Sequence, residues 1–250
     1  MTMQFLDAKL GATQIPDLSP RAEAAICARA LYRAGYNDFN FGHLTFKQPD
    51  ETFLILPAEV GWSEARPEQL LRIDIDANLV EGTGTVVPPI ILHLEYHRLH
   101  PECVWTLHHH PEYATIWAAI GRIPGQYSQK GADLTEVIGL YDDFEGAVGE
   151  TDIARAAAKA MGDKKAVLLR NHGVFVAGDD VRQVFGRATS LEGRCKVAWR
   201  VEAAGGGQEM PEYGLKSLIE LDREHFNGRL PGLWEWAVRN ELAADPTLLG

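Results

Sequence analysis

The chain has 250 residues, 46% of them hydrophobic, and a formal net charge of −11; this length is enough to bury a substantial core in one large domain. The acidic balance, with no run of lysine or arginine, argues against partners such as nucleic acid or anionic lipid. No stretch approaches the ~18 uninterrupted apolar residues of a membrane span, and the N-terminus lacks a secretory-signal pattern. We therefore expect a cytoplasmic protein with no membrane partner.

The N-terminal half begins with an arm and continues into helix and sheet. Residues 1–20 contain two prolines and few periodic apolar positions, which predicts an arm ahead of the fold. The next segment has small or apolar side chains close to a 3.6-residue period and predicts an amphipathic helix that ends at Gly35. A second helix is predicted to begin at Pro88 and Pro89 and to end at Pro101. Between the helices, alternation and β-branched residues predict antiparallel strands within 42–48, 52–58 and 70–82.

The C-terminal half alternates strands with helices. A strand is predicted for CVWTLHHH at 103–110, and a strand pair broken at Asn-His-Gly is predicted for 166–178. Helices are predicted for 114–121, 152–163 and 179–207, the last of which is capped by aspartate and ended by glycines. The predicted order is α-β-β-β-α-β-α-α-β-β-α. This order indicates an α/β fold with much antiparallel pairing.

The predicted domain organisation is one domain between two terminal segments. The domain covers 21–205, and a tail covers 206–250 after a glycine-rich stretch. Three large apolar residues in the tail need burial, either on their own subunit or on a neighbouring one: Leu233, Trp234 and Trp236.

Three consecutive histidines at the end of the predicted strand are the main candidate for chemistry. Alternate side chains of a strand point to the same face, so His108 and His110 should lie together while His109 points the other way. A His-x-His pair on a strand forms a two-point metal clamp, but it is also compatible with ordinary hydrogen-bonding histidines. Because two imidazoles rarely hold a metal alone, a metal site requires another ligand. His172, at the turn between two predicted strands, is the candidate.

Several separated motifs, in the same order, resemble the class II aldolase/adducin family from about residue 21 to 200. They are GHLTFK, LLRIDIDANLVEG, ILHLEYHRLHPECVWTLHHHPEYAT, AVLLRNHGVFVAGDDVRQVF and LEGRC. The resemblance implies a three-layer α/β/α sandwich with a mostly antiparallel central sheet, and a homotetramer with metal sites near the subunit boundaries. It also places His108, His110 and His172 on the family's metal-binding histidines, which implies one divalent ion per subunit: zinc, manganese or iron. In these enzymes the ion polarises a substrate carbonyl or enolate oxygen.

The sequence departs from the sugar-phosphate aldolases of that family. Where those enzymes carry Ser-Ser-Glu, with the acid/base glutamate, this chain has Val87-Pro88-Pro89. Their phosphate-binding Gly-Asn pair corresponds to Gly42-His43. The pattern is closer to the adducin-like branch, which has a Gly-His segment and a His-x-x-x-His helix. The corresponding domain of adducin itself lacks the metal histidines, whereas this chain has all three.

Five further residues are candidates for the site. His93 and His97 lie four residues apart on one face of a predicted helix, where they would orient other groups or donate a proton. His43 falls where the family's ligand pocket lies. Tyr127 and Gln129 belong to a polar segment that would form a lid over the substrate.

Three functions are compatible with these residues. The first is a metal-dependent lyase that cleaves a carbon–carbon bond in a small non-phosphorylated carbonyl or carboxylate substrate, by decarboxylation or by a retro-aldol reaction. Decarboxylation suits the absence of the glutamate, because carbon dioxide leaves without removal of a proton from the substrate. The second is a non-haem iron oxygenase acting on an aromatic or keto-acid substrate, since imidazole ligands accept iron(II) as readily as zinc. The third is a non-catalytic, adducin-like interaction domain.

Overall fold

The computed structural model describes residues 14–36, 39–143 and 150–249. Its strands are β1 (His43–Lys47), β2 (Phe53–Ile55), β3 (Leu71–Ile73), β4 (Leu79–Glu81), β5 (Trp105–His109), β6 (Ile138–Tyr141), β7 (Ala166–Leu169) and β8 (Gly173–Gly178). Its α-helices are α1 (Pro20–Arg33), α2 (Ile90–Leu99), α3 (Glu112–Ile120), α4 (Thr151–Met161), α5 (Val181–Ala203), α6 (Glu212–Leu221) and α7 (Leu233–Ala244).

One eight-stranded sheet forms the middle layer, in the order β4-β3-β2-β1-β5-β8-β7-β6. Neighbouring strands are antiparallel except for the parallel pair β6 and β7. Helices α1, α3, α5 and α7 pack on one face of the sheet, and α2 and α4 pack on the other. The predicted three-layer α/β/α sandwich with a mostly antiparallel sheet is confirmed.

Strand alternation assigns the side chains of β5 to these two faces. Leu107 belongs to the core beneath α1, α5 and α7. His108 is paired in register with Phe175, which packs with α2 and α4. Because residues paired across an antiparallel ladder share a face, His108 lies on the α2 side of the sheet. The polar residues of this side therefore face a helix that carries histidines of its own.

The sheet differs from the prediction in two places. The single segment predicted at 70–82 is divided into β3 and β4 by a turn, in which the Asp74 carboxylate accepts hydrogen bonds from the backbone N–H groups of Asp76 and Asn78. Strand β6 was not predicted at all. It is a four-residue edge strand with a central glycine, Gly139, so its sequence shows too little alternation to indicate a strand. Its extended conformation is stabilised by parallel pairing with β7.

The C-terminal segment contains two α-helices, of which α7 packs against α1 and α5 of the same chain. Trp234 of α7 is only 2% exposed, and its ring lies edge-on to Phe185 of α5 at 5.6 Å. On the opposite side of α7, Trp236 is 56% exposed. Glu241 is buried and accepts hydrogen bonds from Arg33 at the end of α1, at 2.6 and 3.0 Å.

The predicted N-terminal arm lies outside the described residues up to position 13. From there an extended segment leads to Ser19, whose hydroxyl caps α1 by accepting a hydrogen bond from the Ala22 N–H. Among the helices in the described ranges, none is long and apolar enough to cross a bilayer.

Candidate metal centre and its histidine cluster

Three histidines from two neighbouring strand ends come together at one point. His108 is near the end of β5, His110 follows the last residue of β5, and His172 lies in the turn between β7 and β8. A ring nitrogen from each lies within 4.8 Å of one from each of the other two. The His108 ring is buried, whereas the other two are partly exposed, so the cluster is open to a ligand from one side.

The turn that carries His172 depends on the two residues that flank it, Asn171 and Gly173. Asn171 has a left-handed backbone with φ of 54°, which asparagine tolerates better than most residues. At the next position but one, a Cβ on Gly173 would lie 2.6 Å from Cδ2 of His110 and 2.7 Å from the carbonyl oxygen of His109. Only glycine allows β8 to approach the end of β5 this closely. The Asn-His-Gly triplet therefore positions His172 against His110.

Hydrogen bonding orients His108 as a metal ligand would be oriented. Its Nδ1–H donates to the carbonyl oxygen of Val174 at 2.9 Å, an arrangement common among metal-binding histidines because it fixes the ring and its tautomer. The Nε2 lone pair is thereby left for the cluster, 3.1 Å from Nε2 of His110. Two bonds of about 2.05 Å at the tetrahedral angle would separate their nitrogens by about 3.3 Å. The donor set thus fits a single divalent transition-metal ion.

His109 points away from this cluster, as strand alternation predicts. Its Nδ1–H donates to the carbonyl oxygen of Tyr36 at 2.6 Å, and its ring stacks on Trp62 with centroids 6.5 Å apart. The middle histidine of the triplet is therefore part of the core beneath α1.

His43 is the only one of the five further candidates that borders the cluster directly in the described contacts. It pairs in register with His108 across β1 and β5, and the two ring centroids are 4.7 Å apart. Behind it, Nδ1 of His43 lies 2.7 Å from Nε2 of His93 on α2. His97, one turn further along α2, forms a hydrogen bond with the hydroxyl of Thr45. The predicted common face of His93 and His97 is thus directed at the sheet.

Tyr127 and Gln129, the other two candidates, make contacts away from the histidine cluster. The Tyr127 hydroxyl donates to Glu202 near the C-terminal end of α5, at 3.3 Å. Gln129 lines a cavity of about 370 Å³ between α5 and the segment at 129–133, together with Tyr36 and Leu233. None of the three clustered histidines lines that cavity.

Most of the chain matches a known protein family. The family model for the class II aldolase and adducin N-terminal domain matches residues 22–199. The chain belongs to the class II aldolase/adducin family. Within this family, the chain is 31% identical to decarboxylase NovR of Streptomyces niveus over 90% of its own length and 84% of that protein.

Two other members of the class II aldolase/adducin family extend the comparison. The chain is 29% identical to the 4-hydroxy-3-prenylphenylpyruvate oxygenase/4-hydroxy-3-prenylbenzoate synthase of Streptomyces roseochromogenus, over 90% of the chain and 82% of that protein. Its fold matches an L-fuculose 1-phosphate aldolase from Glaciozyma antarctica with a TM-score of 0.78 and 17% identity, over 94% of this chain and 97% of the aldolase. At that identity the likeness concerns the fold alone.

Burial lowers the pKa of several histidines at and around the cluster. Desolvation, followed by the charges of His110 and His172, lowers the pKa of His43 from 6.5 to about 3. Desolvation and then the charge of His110 lower the pKa of His172 to about 4, and desolvation lowers that of His109 to about 4. The pKa of His108 is well below its usual value for the same first reason. Neutral imidazoles are the form that binds metal.

These pKa shifts predict that the metal-free protein loses stability in mild acid. Between pH 6.5 and about 4, the unfolded chain binds protons at histidines that the folded chain keeps neutral, so the free energy of unfolding falls as the pH is lowered. Well below pH 6.5, the loss approaches about 1.4 kcal/mol per pH unit for each fully buried histidine. Urea unfolding at pH 7.5, 6 and 5 measures it.

The fully buried His109 provides a control for this pH dependence. In the His109→Gln variant the fall should be shallower by the contribution of one histidine, because one group with a pKa lowered to about 4 is removed. A metal-free protein equally stable at pH 7.5 and pH 5 would contradict the expectation.

Proposed function

We propose that the protein is a metal-dependent lyase that cleaves a carbon–carbon bond in a small non-phosphorylated carbonyl or carboxylate compound. The observation that carries the proposal is the convergence of His108, His110 and His172 within 4.8 Å, with His108 turned toward the cluster by the Val174 carbonyl. Three neutral imidazoles with converging ring nitrogens form a donor set that suits a divalent transition-metal ion.

The roles of the residues follow from their positions. His108, His110 and His172 would hold one zinc, manganese or iron ion, which when bound supplies a Lewis acid for charge that develops on a substrate oxygen. His43 borders the cluster and would contact the substrate. His93 and His97 lie behind it, so we assign their contribution to the orientation of His43. Tyr127 and Gln129 would contact substrate only if a lid or a neighbouring subunit brought them to the cluster.

Decarboxylation is the reaction we favour between the two lyase reactions. Decarboxylase NovR, one of the relatives, matches over 90% of the chain. The sequence also places Pro89 where family aldolases carry an acid/base glutamate, and Pro89 is the residue from which α2 begins. A decarboxylation needs no base to deprotonate the substrate, whereas a retro-aldol reaction needs one for the hydroxyl group.

The oxygenase relative supports the alternative, a non-haem iron oxygenase acting on an aromatic or keto-acid substrate. One experiment distinguishes the lyase from the oxygenase. Protein purified without added metal is analysed for its elements and then incubated with a panel of aromatic and keto carboxylic acids, while carbon dioxide release and oxygen consumption are recorded together. Carbon dioxide release without oxygen uptake supports the lyase.

The other outcomes of that experiment contradict the proposal. Oxygen uptake in step with product formation, with stoichiometric iron, would assign the oxygenase. Failure to retain any divalent ion would leave a non-catalytic, adducin-like interaction domain.

A sugar phosphate should not be a substrate. The segment Val87-Pro88-Pro89 supplies neither the hydroxyl groups nor the carboxylate that the family's sugar-phosphate aldolases use, and His43 replaces the phosphate-binding asparagine. With L-fuculose 1-phosphate we expect no aldehyde release above the rate without enzyme in a coupled assay. Efficient cleavage would show that this reading of residues 87–89 is wrong.

We also propose that the protein is a homotetramer, in which a neighbour's residues complete the pocket beside the partly exposed His110 and His172. Sedimentation velocity of the full chain should give the mass of four subunits. An active, metal-loaded monomer would exclude a shared site.

A further inference from the structure

A chain of five buried polar side chains runs behind the histidine cluster, between β1, β5 and α2. Its members are at most 5% exposed, and in order from the far end they are His97, Thr45, Thr106, His93 and His43. We refer to it as the His–Thr chain. Consecutive members are joined by hydrogen bonds of 2.8, 2.5, 2.6 and 2.7 Å.

The far end of the His–Thr chain fixes the direction of its hydrogen bonds. Nδ1 of His97 lies 3.2 Å from the carbonyl oxygen of Cys103, and a carbonyl only accepts, so His97 carries its proton on Nδ1. A neutral imidazole has one N–H, so Nε2 of His97 must accept. Its nearest donor is the Thr45 hydroxyl at 2.8 Å.

The hydrogen bonds of the two threonines have the same donor-to-acceptor direction. A hydroxyl has one proton, and Thr45 uses its proton on His97. The 2.5 Å contact between the hydroxyls of Thr45 and Thr106 therefore requires Thr106 to donate. With its proton committed, Thr106 accepts from Nδ1–H of His93, 2.6 Å away.

The last step reaches the cluster. Because His93 carries its proton on Nδ1, its Nε2 is an acceptor, and Nδ1 of His43 at 2.7 Å must donate to it. The bare nitrogen of His43 is then Nε2, on a ring whose centroid is 4.7 Å from that of His108. With the opposite direction, no hydroxyl group would donate to Nε2 of His97, and this buried acceptor would be left unsatisfied, which is unfavourable.

We propose that the His–Thr chain holds His43 as the Nδ1–H tautomer, so that its Nε2 accepts a hydrogen bond from a hydroxyl group of the substrate at the histidine cluster. Thr45, Thr106, His93 and His97 are positioning residues, and His43 is the group that contacts the ligand. The proposal rests on the proposed function for the identity of the ligand, but the tautomer is a property of the protein alone. The proposal therefore predicts that the substrate carries a hydroxyl group, which donates a hydrogen bond to His43.

The test uses long-range nitrogen–proton NMR correlation on the full chain labelled with ¹⁵N-histidine, first without metal. His43, His93 and His97 should each show a protonated Nδ1 and a bare Nε2. In Thr106→Val, which keeps the volume and removes the hydroxyl, His93 and His43 should lose this single tautomer, while Thr106→Ser restores it. Thr115→Val is the matched control, because the Thr115 hydroxyl is buried but makes no hydrogen bond within the described residues; it should leave all three tautomers unchanged.

A second measurement separates the role of His43 from the metal site itself. On addition of Zn²⁺, the ring nitrogens of the cluster should shift, while His43 keeps its Nδ1–H and His43→Asn binds Zn²⁺ within about twofold of the unsubstituted protein. A protonated Nε2 on His43, a tautomer unaffected by Thr106→Val, or a His43→Asn variant that loses Zn²⁺ would each overturn the proposal. Failure of the unsubstituted protein to bind Zn²⁺, with the tautomers as expected, would instead contradict the proposed function and, with it, the acceptor role of His43 toward a substrate.

Discussion

Each of the substitutions His108→Ala, His110→Ala and His172→Ala should abolish metal retention. Each substitution removes one of three converging nitrogens, and loss of a direct ligand should weaken binding by more than about 100-fold, the upper range for loss of a residue that merely supports a ligand. Elemental analysis of each purified variant, together with a Zn²⁺ titration, measures the effect.

His109→Ala is the control for these three variants. The His109 side chain belongs to the same histidine triplet but hydrogen-bonds to the Tyr36 carbonyl on the opposite face of the sheet. This variant should retain one equivalent of metal per folded chain, although it leaves a cavity beneath Trp62 and lowers stability. Equal metal loss in the His109 variant would show that the alternation of β5 does not determine the ligands.

Trp234→Ala should be among the most destabilising single substitutions in the chain. The Trp234 side chain is 2% exposed and packs on Phe185 between α1, α5 and α7. Replacement of a buried tryptophan by alanine costs about 3–5 kcal/mol, because apolar contact is lost and a cavity remains. The midpoint of urea unfolding reports the change.

Trp236, two residues away on the same helix, is the matched control. It is 56% exposed, so within one subunit Trp236→Ala should change the free energy of unfolding by less than about 0.5 kcal/mol. Sedimentation velocity on both variants tests whether Trp236 instead packs on a neighbouring subunit, in which case the tetramer dissociates more readily. Equal destabilisation by the two substitutions would contradict the packing of α7.

The sequence predicted which members of the histidine triplet share a face because that information is local. Strand alternation placed His108 and His110 together and His109 apart, and the Asn-His-Gly triplet indicated the turn at His172. What joined these two segments was the family resemblance, since no local pattern shows that β5 and β8 are neighbours. The three-layer fold was also predicted from the family resemblance.

The His–Thr chain was missed, although a signal for part of it existed. Thr45 and Thr106 are two residues from His43 and His108, so alternation alone puts each threonine on the same face as its histidine. Their pairing across β1 and β5 depends on the sheet register, Thr45 opposite Thr106, which the sequence does not reveal. Strand β6 was missed because a four-residue strand with a central glycine shows too little alternation, and helices α6 and α7 were not predicted within the tail.

The position of β5 between β1 and β8 has a consequence for folding. Strands β1 to β4 pair with sequence neighbours, and so do β7 and β8, whereas β5 joins strands that are distant from it along the chain. Such non-local pairing closes long loops and forms slowly. We predict that docking of β5 on β8 is the slow step of folding. The three histidines meet only after this docking, so a metal ion would bind later than the slow step. Bound metal should therefore slow unfolding and lengthen the lifetime of the native chain, while the rate of refolding stays the same.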